Sequence, residues 1–272
     1  MKHLDLGVLD GPVLLFGGPY SNAQALNALL DVAKARAISH DHMICTGDVV
    51  AYCGSPVDVV AQMRRFAIPI VAGNCEIQLG QGASDCGCGF DAGSECDLLS
   101  DGWYRYTSAA LSGDDKAWMA QLPDILSFSH QGARYAVIHG GVKNVARFMW
   151  STTPLEDFTQ EWDHLAQAIG PVEHIISGHC GIPFVKDTGR GSWINAGVIG
   201  MPPHDGAQQT RFALLDGGQV LIQRLRYDAQ GAVDAMKVAG LPEDYRRALI
   251  TGYWPSEDIL PTALRSPSLA KG

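Results

Sequence analysis

Short apolar runs alternate with amphipathic segments through the first third of the chain, and this rhythm limits the fold more than any other feature. The runs PVLLF (12–16), HMICT (42–46) and IPIVAG (68–73) are typical of buried strands, and the segments 22–37 and 55–67 between them have helical spacing. Repeated strand, loop and helix units favour right-handed crossovers and a mostly parallel sheet. The sequence therefore predicts an α/β protein.

The rest of the chain mixes helices with paired strands. ILSFSH (125–130) and RYAVIH (134–139) flank a QGA turn and predict a hairpin, and helices are expected over 114–122 and 156–170. EHIISGH (173–179) predicts a further strand that ends at a turn. Glycine-rich turns then separate four short strands and favour antiparallel pairing among them: FVKD, SWINAG, RFALLD and VLIQRLRY.

The chain divides into one large domain and a shorter tail. We expect the domain to cover 1–238, with a loop insertion at about 80–102 that is rich in Gly, Cys and acidic residues. The extension 239–272 contains a predicted helix, PEDYRRALITGYW, and a Pro- and Ser-rich end. Two placements are open for this extension: the surface of its own domain, or a neighbouring subunit of a homo-oligomer.

Composition excludes several classes of partner. The 272 residues are 46% hydrophobic, enough for a full core, and carry a net charge of −9 without a basic stripe, so no nucleic-acid polymer is expected. No run approaches about eighteen apolar residues, and the N-terminus has acids where a signal peptide needs an apolar core. A cytoplasmic protein is therefore expected, and its seven cysteines should be thiols or metal ligands rather than a disulfide framework.

Four side chains able to bind metal follow successive apolar strands. They are Asp48 in GDVV, Asn74 in GNCE, His139 in IHGG and His179 in SGHC. In an open α/β sheet the carboxyl ends of the strands converge on one crevice, so these groups could meet there. Mixed nitrogen and oxygen ligands suit Zn, Mn or Fe. Each residue alone is more often a turn, capping or surface residue than a ligand, but four in step with four strand ends favour a metal site.

These motifs occur in the order of a known family. GDVVAYCGSPVDVV, AGNCE, VIHGG, SGHCGIPF and INAGVIGMPPHDG resemble the calcineurin-like metallophosphoesterases, and specifically the small bacterial phosphodiesterases, over about residues 12–227. The resemblance implies a four-layer α/β/β/α sandwich with mixed sheets. It also implies two metal ions bridged by the aspartate of the GD motif, which is Asp48 here.

The chain departs from the family pattern at one metal position. Gly18 and Tyr20 stand where the family has the aspartate and histidine of D-x-H, and Gly181 stands where it has the last histidine of GHxH. These are the ligands that belong to the first metal alone. The second metal's full set is present: Asp48, Asn74, His139 and His179. One ion per chain is our hypothesis, and two remain an alternative.

Other site residues follow from the same resemblance. Cys75 replaces the family histidine that lies near the leaving oxygen, so Asp48, Cys75 and Tyr20 are the candidate catalytic residues. The Tyr20 phenol could donate a hydrogen bond to a bound oxyanion, or its ring could simply pack. Candidate substrate-binding residues are Tyr20, Asn22 and His204, although a histidine in a turn is also a common structural residue.

Six of the seven cysteines fall in or beside predicted active-site loops: Cys53, Cys75, Cys86, Cys88, Cys96 and Cys180. These thiols could rebuild a second metal site, the insertion could bind a structural metal of its own, or the thiols could be buried and inert. Cys45 lies within an apolar run and is expected to be plain core.

The sequence thus predicts hydrolysis of a small phosphorylated substrate, a phosphomonoester or phosphodiester, by a metal-bound hydroxide. An alternative is a protein that binds a metal and a nucleotide or oxyanion without hydrolysing it, since three ligands and the leaving-group histidine are absent. Redox chemistry at a cysteine-rich metal centre is a third hypothesis.

Overall fold

The computed structural model describes residues 1–89 and 93–266, and these form ten strands and eight α-helices. The strands are β1 (His3–Val8), β2 (Val13–Phe16), β3 (Met43–Cys45), β4 (Ile125–His130), β5 (Ala133–Val137), β6 (His174–Ser177), β7 (Phe184–Asp187), β8 (Ser192–Asn195), β9 (Thr210–Asp216) and β10 (Gln219–Leu225). The helices are α1 (Ala23–Ala35), α2 (Pro56–Arg65), α3 (Asn74–Gln81), α4 (Glu95–Ala110), α5 (Gly113–Met119), α6 (Leu155–Ile169), α7 (Ala229–Val238) and α8 (Glu243–Thr251).

The strands form two mixed sheets. The larger sheet has the order β1-β4-β5-β6-β8-β7 and the smaller has the order β10-β9-β2-β3. β5, β6 and β8 run parallel, as do β2 and β3, whereas β4–β5, β7–β8 and β9–β10 are antiparallel pairs. The expectation of a mostly parallel sheet is therefore wrong, because short turns such as QGA fold adjacent strands back on each other.

Four layers result from the way these sheets pack. Val13 and Leu15 of β2 join Phe128 of β4 and Val137 of β5 in a buried apolar layer between the sheets. The outer face of the larger sheet is covered by α6, whose Phe158, Trp162 and Leu165 are buried there. The outer face of the smaller sheet is covered by helices that include α1, α2 and α7. The predicted α/β/β/α sandwich is confirmed.

Three local predictions differ from the structure. The insertion 80–102 is not all loop, because α4 begins at Glu95 inside it. IPIVAG makes a single bridge, Cys45 to Ile70, rather than a full strand. β1 was not predicted from the exposed N-terminal segment and pairs in parallel with β4.

Residues 267–272 of the Pro- and Ser-rich end lie outside the described part of the chain.

Helix α8 of the C-terminal extension is buried against other helices of the same chain. Tyr245, Ala248 and Leu249 of α8 are buried in the same apolar cluster as α1 and α7. In the described part of the chain, no helix combines the length and the apolar character that crossing a membrane requires.

Candidate metal centre

Asp48 lies in the loop that follows β3. Its backbone adopts φ 55°, a left-handed conformation that Asp tolerates better than most residues. Gly47 before it has φ 96°, and a Cβ at that position would lie 2.7 Å from both the Gly73 nitrogen and His139 Nδ1. Glycine here lets the three loops that carry Asp48, Asn74 and His139 approach closely.

His139 follows β5 and has one defined tautomer. Its Nδ1 lies 2.6 Å from the carbonyl oxygen of Thr46, which can only accept, so Nδ1 carries the proton. Nε2 is then the atom that faces the other candidate ligands. It lies 3.3 Å from Asp48 Oδ2, 3.1 Å from Asn74 Oδ1 and 2.9 Å from His179 Nδ1.

Asn74 and His179 complete this group. Asn74 begins α3, and its Nδ2 donates to the carbonyl of Cys86 at 2.9 Å, which leaves Oδ1 directed at His139. His179 follows β6, and its ring packs on Phe148 with the ring centres 4.4 Å apart. The ligand atoms of Asp48, His139 and His179 all lie within 4.8 Å of one another and all three residues are buried.

The four predicted ligands therefore meet at one point, two of them from the larger sheet and two from loops beside the smaller one. The atoms that face one another are two oxygens and two ring nitrogens. At most one of the two ring nitrogens carries a proton towards the others. Such a set of lone pairs suits a cation, and mixed oxygen and imidazole ligands fit Zn, Mn or Fe. The residues present therefore fit a single metal ion.

Glu76 fixes the loop that carries Asp48. Its buried carboxylate accepts hydrogen bonds from the backbone nitrogens of Asp48 and Val49, each at 2.8 Å, and from that of Gly73 at 2.9 Å. The sequence prediction gave this residue no role. The acid after GNC was its only signal, because two of its three bonds go to backbone atoms 27 and 28 positions away.

Burial and neighbouring charges shift the acidity of the site. Burial lowers the pKa of His179 to about 3, and His139 adds to that effect, so the His179 imidazole is neutral at ordinary pH. Burial alone would lower the pKa of His139, but the Asp48 carboxylate holds it above its usual value. Burial, and then the Asp48 charge, raises the pKa of the Cys75 thiol and of the Tyr20 phenol, so both keep their protons.

Aromatic rings lie against the two glycines that replace first-metal ligands. A Cβ at Gly18 would lie 2.5 Å from Cε1 and 2.6 Å from Cζ of Tyr20, so the phenol ring occupies the place of a side chain at position 18. Gly181 has φ 72°, and a Cβ there would contact the Trp254 indole at 3.5 Å. Trp254 comes from the C-terminal extension, and this contact was not predicted.

The metal group forms one side of a cavity. Asp48, His179 and Tyr20 line it, together with Cys180 and residues of the C-terminal extension such as Trp254. Cys88 and Cys96 lie on the same lining. Trp103 and Tyr104 on α4 are buried in the core.

Among the described residues, the side-chain group that could hold a metal contains no cysteine, although the Asn74 amide lies 3.6 Å from the Cys75 sulfur and 3.4 Å from the Cys88 sulfur. Cys86 and Cys88 are paired as a disulfide, so the expectation that they are thiol ligands is wrong, because a disulfide sulfur has no thiolate to offer. The thiol of Cys53 lies 3.7 Å from the Gly200 carbonyl, and that of Cys180 lies 3.1 Å from Asn195 Nδ2. A metal-binding role for Cys53, Cys75, Cys96 or Cys180 stays a prediction.

Two candidate substrate-binding residues lie outside the cavity lining. Asn22 caps α1, accepting from the Ala25 nitrogen at 3.0 Å and donating to the Gly200 carbonyl at 3.1 Å. His204 is buried, accepts from the Trp254 nitrogen at 2.8 Å and lies 2.6 Å from Glu257 Oε1. These contacts give both residues a structural role, which the sequence had left open for His204 and had not predicted for Asn22.

Comparison with known proteins agrees with this fold. Uncharacterized protein MJ0912 of Methanocaldococcus jannaschii is 24% identical over 251 residues, which is 86% of this chain and 95% of that protein. The crystal structure of hypothetical protein PH1004 from Pyrococcus horikoshii OT3 matches with a TM-score of 0.74 at 18% identity, over 90% of this chain and 100% of that one. A metallophosphoesterase from Sphaerobacter thermophilus matches with a TM-score of 0.68 at 20% identity, with the same coverage.

A family model decides the assignment. The model of the calcineurin-like phosphoesterase superfamily domain matches residues 21–218, well over half of the chain. The chain belongs to the calcineurin-like phosphoesterase superfamily.

Proposed function

We propose that this chain is a metal-dependent phosphoesterase whose centre holds one metal ion on Asp48, Asn74, His139 and His179. The observation that supports it most is the convergence of three other candidate ligand atoms on His139 Nε2, at 2.9, 3.1 and 3.3 Å. Family membership supports a hydrolase acting on phosphate esters. Zn, Mn and Fe all suit this ligand set.

A bound divalent ion would polarise a phosphoryl oxygen and lower the pKa of a water ligand towards neutrality. The chain's own residues prepare the rest of the site. Asp48 supplies the negative charge that holds the ion, and Glu76 holds the backbone of Asp48 in place. Tyr20, which keeps its proton, can donate a hydrogen bond to an oxygen of the substrate.

A single ion is favoured by what surrounds Gly18 and Gly181. The Tyr20 ring fills the space beside Gly18, and the Trp254 indole lies against Gly181. Neither glycine offers a ligand atom from a side chain. With one ion the entering and leaving oxygens are held less firmly than in a two-metal site, so we expect slow turnover.

The leaving group receives little help from Cys75. Burial raises the pKa of its thiol well above the usual value, and a poor acid does not readily protonate a departing oxygen. Esters with acidic leaving groups, such as nitrophenols, should therefore react fastest. The substrate we propose is a small phosphate ester whose leaving group is acidic.

The test is metal-dependent turnover. The purified protein is stripped with a chelator, reloaded with Mn²⁺, Zn²⁺ or Fe²⁺, and assayed with bis(p-nitrophenyl) phosphate and p-nitrophenyl phosphate. We expect hydrolysis that requires metal and is lost in Asp48→Asn, which preserves the shape of the side chain but removes its charge. No metal-dependent rate above that of Asp48→Asn with either ester would contradict the proposal.

A second candidate is a protein that binds a metal and an oxyanion without hydrolysis. The rings beside Gly18 and Gly181 and the thiol at Cys75 favour it. Metal analysis and the turnover assay together separate the two functions: one equivalent of metal with no turnover of either ester would support the second.

A homo-oligomer stays a prediction, to be tested by light scattering.

A further inference from the structure

Several aromatic rings line the cavity beside the metal group. Tyr20 and Tyr52 meet edge to face with ring centres 4.8 Å apart, and Tyr52 lies 4.8 Å from Tyr245 of α8. Phe148 and Trp254 line the cavity as well and are only partly buried. Concave sites with aromatic walls and a few polar groups are the usual form of small-molecule sites.

Trp254 is held rigidly in this wall. Its indole Nε1 donates to the Pro202 carbonyl at 2.7 Å, and its backbone nitrogen donates to His204 Nδ1 at 2.8 Å. His204 is fixed in turn by Glu257, 2.6 Å away. A ring fixed before a ligand arrives loses little freedom on binding, so it contributes more to affinity than a mobile one.

The cavity offers few positive charges. None of its described lining residues is Lys or Arg. Nearby Arg147 is already paired with Asp157 and with Glu161, the latter at 2.6 Å. The Asp48 carboxylate and the buried Glu76 carboxylate behind it would offset the charge of a bound divalent ion, so the site favours a singly charged phosphodiester over a doubly charged monoester.

We infer that this aromatic cavity is a subsite for a flat aromatic ester group of a phosphodiester, and that Trp254 is its specificity-determining residue. The inference rests on the proposed function, because it places the phosphoryl group at Asp48 and His179. The ester ring would lie in the cavity against the exposed part of the Trp254 indole, beside the Tyr20 ring that fills the space next to Gly18. Stacking on such rings is selective for flat groups but tolerant of their identity.

The experiment compares two diesters on the Mn²⁺-loaded full chain by isothermal titration calorimetry. Diphenyl phosphate and dimethyl phosphate carry the same charge and react too slowly to be consumed. We expect diphenyl phosphate to bind at least about tenfold tighter. Trp254→Ala should remove most of that preference and Trp254→Phe should retain it, whereas Trp118→Ala, a partly buried tryptophan outside the cavity, should leave it unchanged.

Equal affinities in the wild-type protein, failure of diphenyl phosphate to bind, or a preference that survives in Trp254→Ala would each overturn the inference. The contrast between Trp254→Phe and Trp254→Ala, with melting temperatures for both, separates loss of the ring's stacking from loss of fold. The turnover assay is independent. Ring-dependent binding without turnover would support the subsite and contradict hydrolysis. Turnover without a preference for diphenyl phosphate would support hydrolysis and contradict the subsite.

Discussion

His139 Nδ1 donates to the carbonyl oxygen of Thr46 over 2.6 Å, from the end of β5 in one sheet to the end of β3 in the other. This bond joins the two sheets at the site and sets the imidazole tautomer. Because Nδ1 carries the proton, the lone pair of Nε2 is directed at Asp48, Asn74 and His179. Hydrogen bonds of this kind commonly orient metal-binding histidines.

Glu76 should be needed for metal affinity although it is not a ligand. In Glu76→Gln, one oxygen becomes an NH₂ group that faces backbone N–H donors and cannot accept from them. We expect a loss of about 1–3 kcal/mol in the free energy of unfolding and about a tenfold weaker metal affinity. Chemical denaturation and competition with a fluorescent chelator measure the two effects, and a variant with wild-type values for both would contradict this role.

The phenol of Tyr20 can be separated from its ring. Tyr20→Phe keeps the ring that fills the space beside Gly18 but removes the hydroxyl. If the hydroxyl donates to the substrate phosphoryl group, kcat should fall about tenfold or more while metal content stays the same. An unchanged kcat would mean that Tyr20 only packs, which is the alternative that the sequence left open.

A double-mutant cycle tests whether Tyr20 excludes a side chain at position 18. Gly18→Asp alone should destabilise the protein by about 1–3 kcal/mol, because its Cβ would overlap the phenol ring. Combining it with Tyr20→His, which restores D-x-H, should recover part of that loss because the ring is smaller. Additive effects in thermal denaturation would show that the two positions do not interact.

The hydrogen bond between Glu257 of the C-terminal extension and His204 should contribute to stability in a pH-dependent way. Burial alone would raise the pKa of Glu257, but hydrogen bonds from the Ser266 nitrogen and from His204 lower it below its usual range. A carboxylate whose pKa is lower in the folded protein than in the unfolded chain stabilises the folded protein. The stabilisation is fully present above the unfolded-state pKa of about 4.3. It is lost as the pH falls through the folded-state pKa.

We therefore expect Glu257→Gln to melt at a lower temperature than the wild type at pH 7, by the equivalent of about 1 kcal/mol. The gap should close below about pH 4. Melting curves of both proteins between pH 3 and pH 7 measure it. A gap that persists unchanged at the acidic end would show that the charge of Glu257 does not hold the extension.

The sequence was informative where the signal was local. Periodicity placed most helices and strands, and the four candidate ligands were recognisable because each follows an apolar run. The roles of Glu76 and Trp254 were not, since both depend on contacts between distant parts of the chain: Glu76 binds the backbone of Asp48, and Trp254 packs on Gly181. The pairing of Cys86 with Cys88 was missed because composition and compartment argued for thiols.

The most direct measurement is a crystal structure of the protein loaded with Mn²⁺ or Zn²⁺, with anomalous scattering recorded at the metal edge. We predict one peak per chain, about 2.0–2.2 Å from Asp48, from Asn74 Oδ1, from His139 Nε2 and from His179 Nδ1. A cavity without a peak, or an ion bound away from these four atoms, would contradict the account.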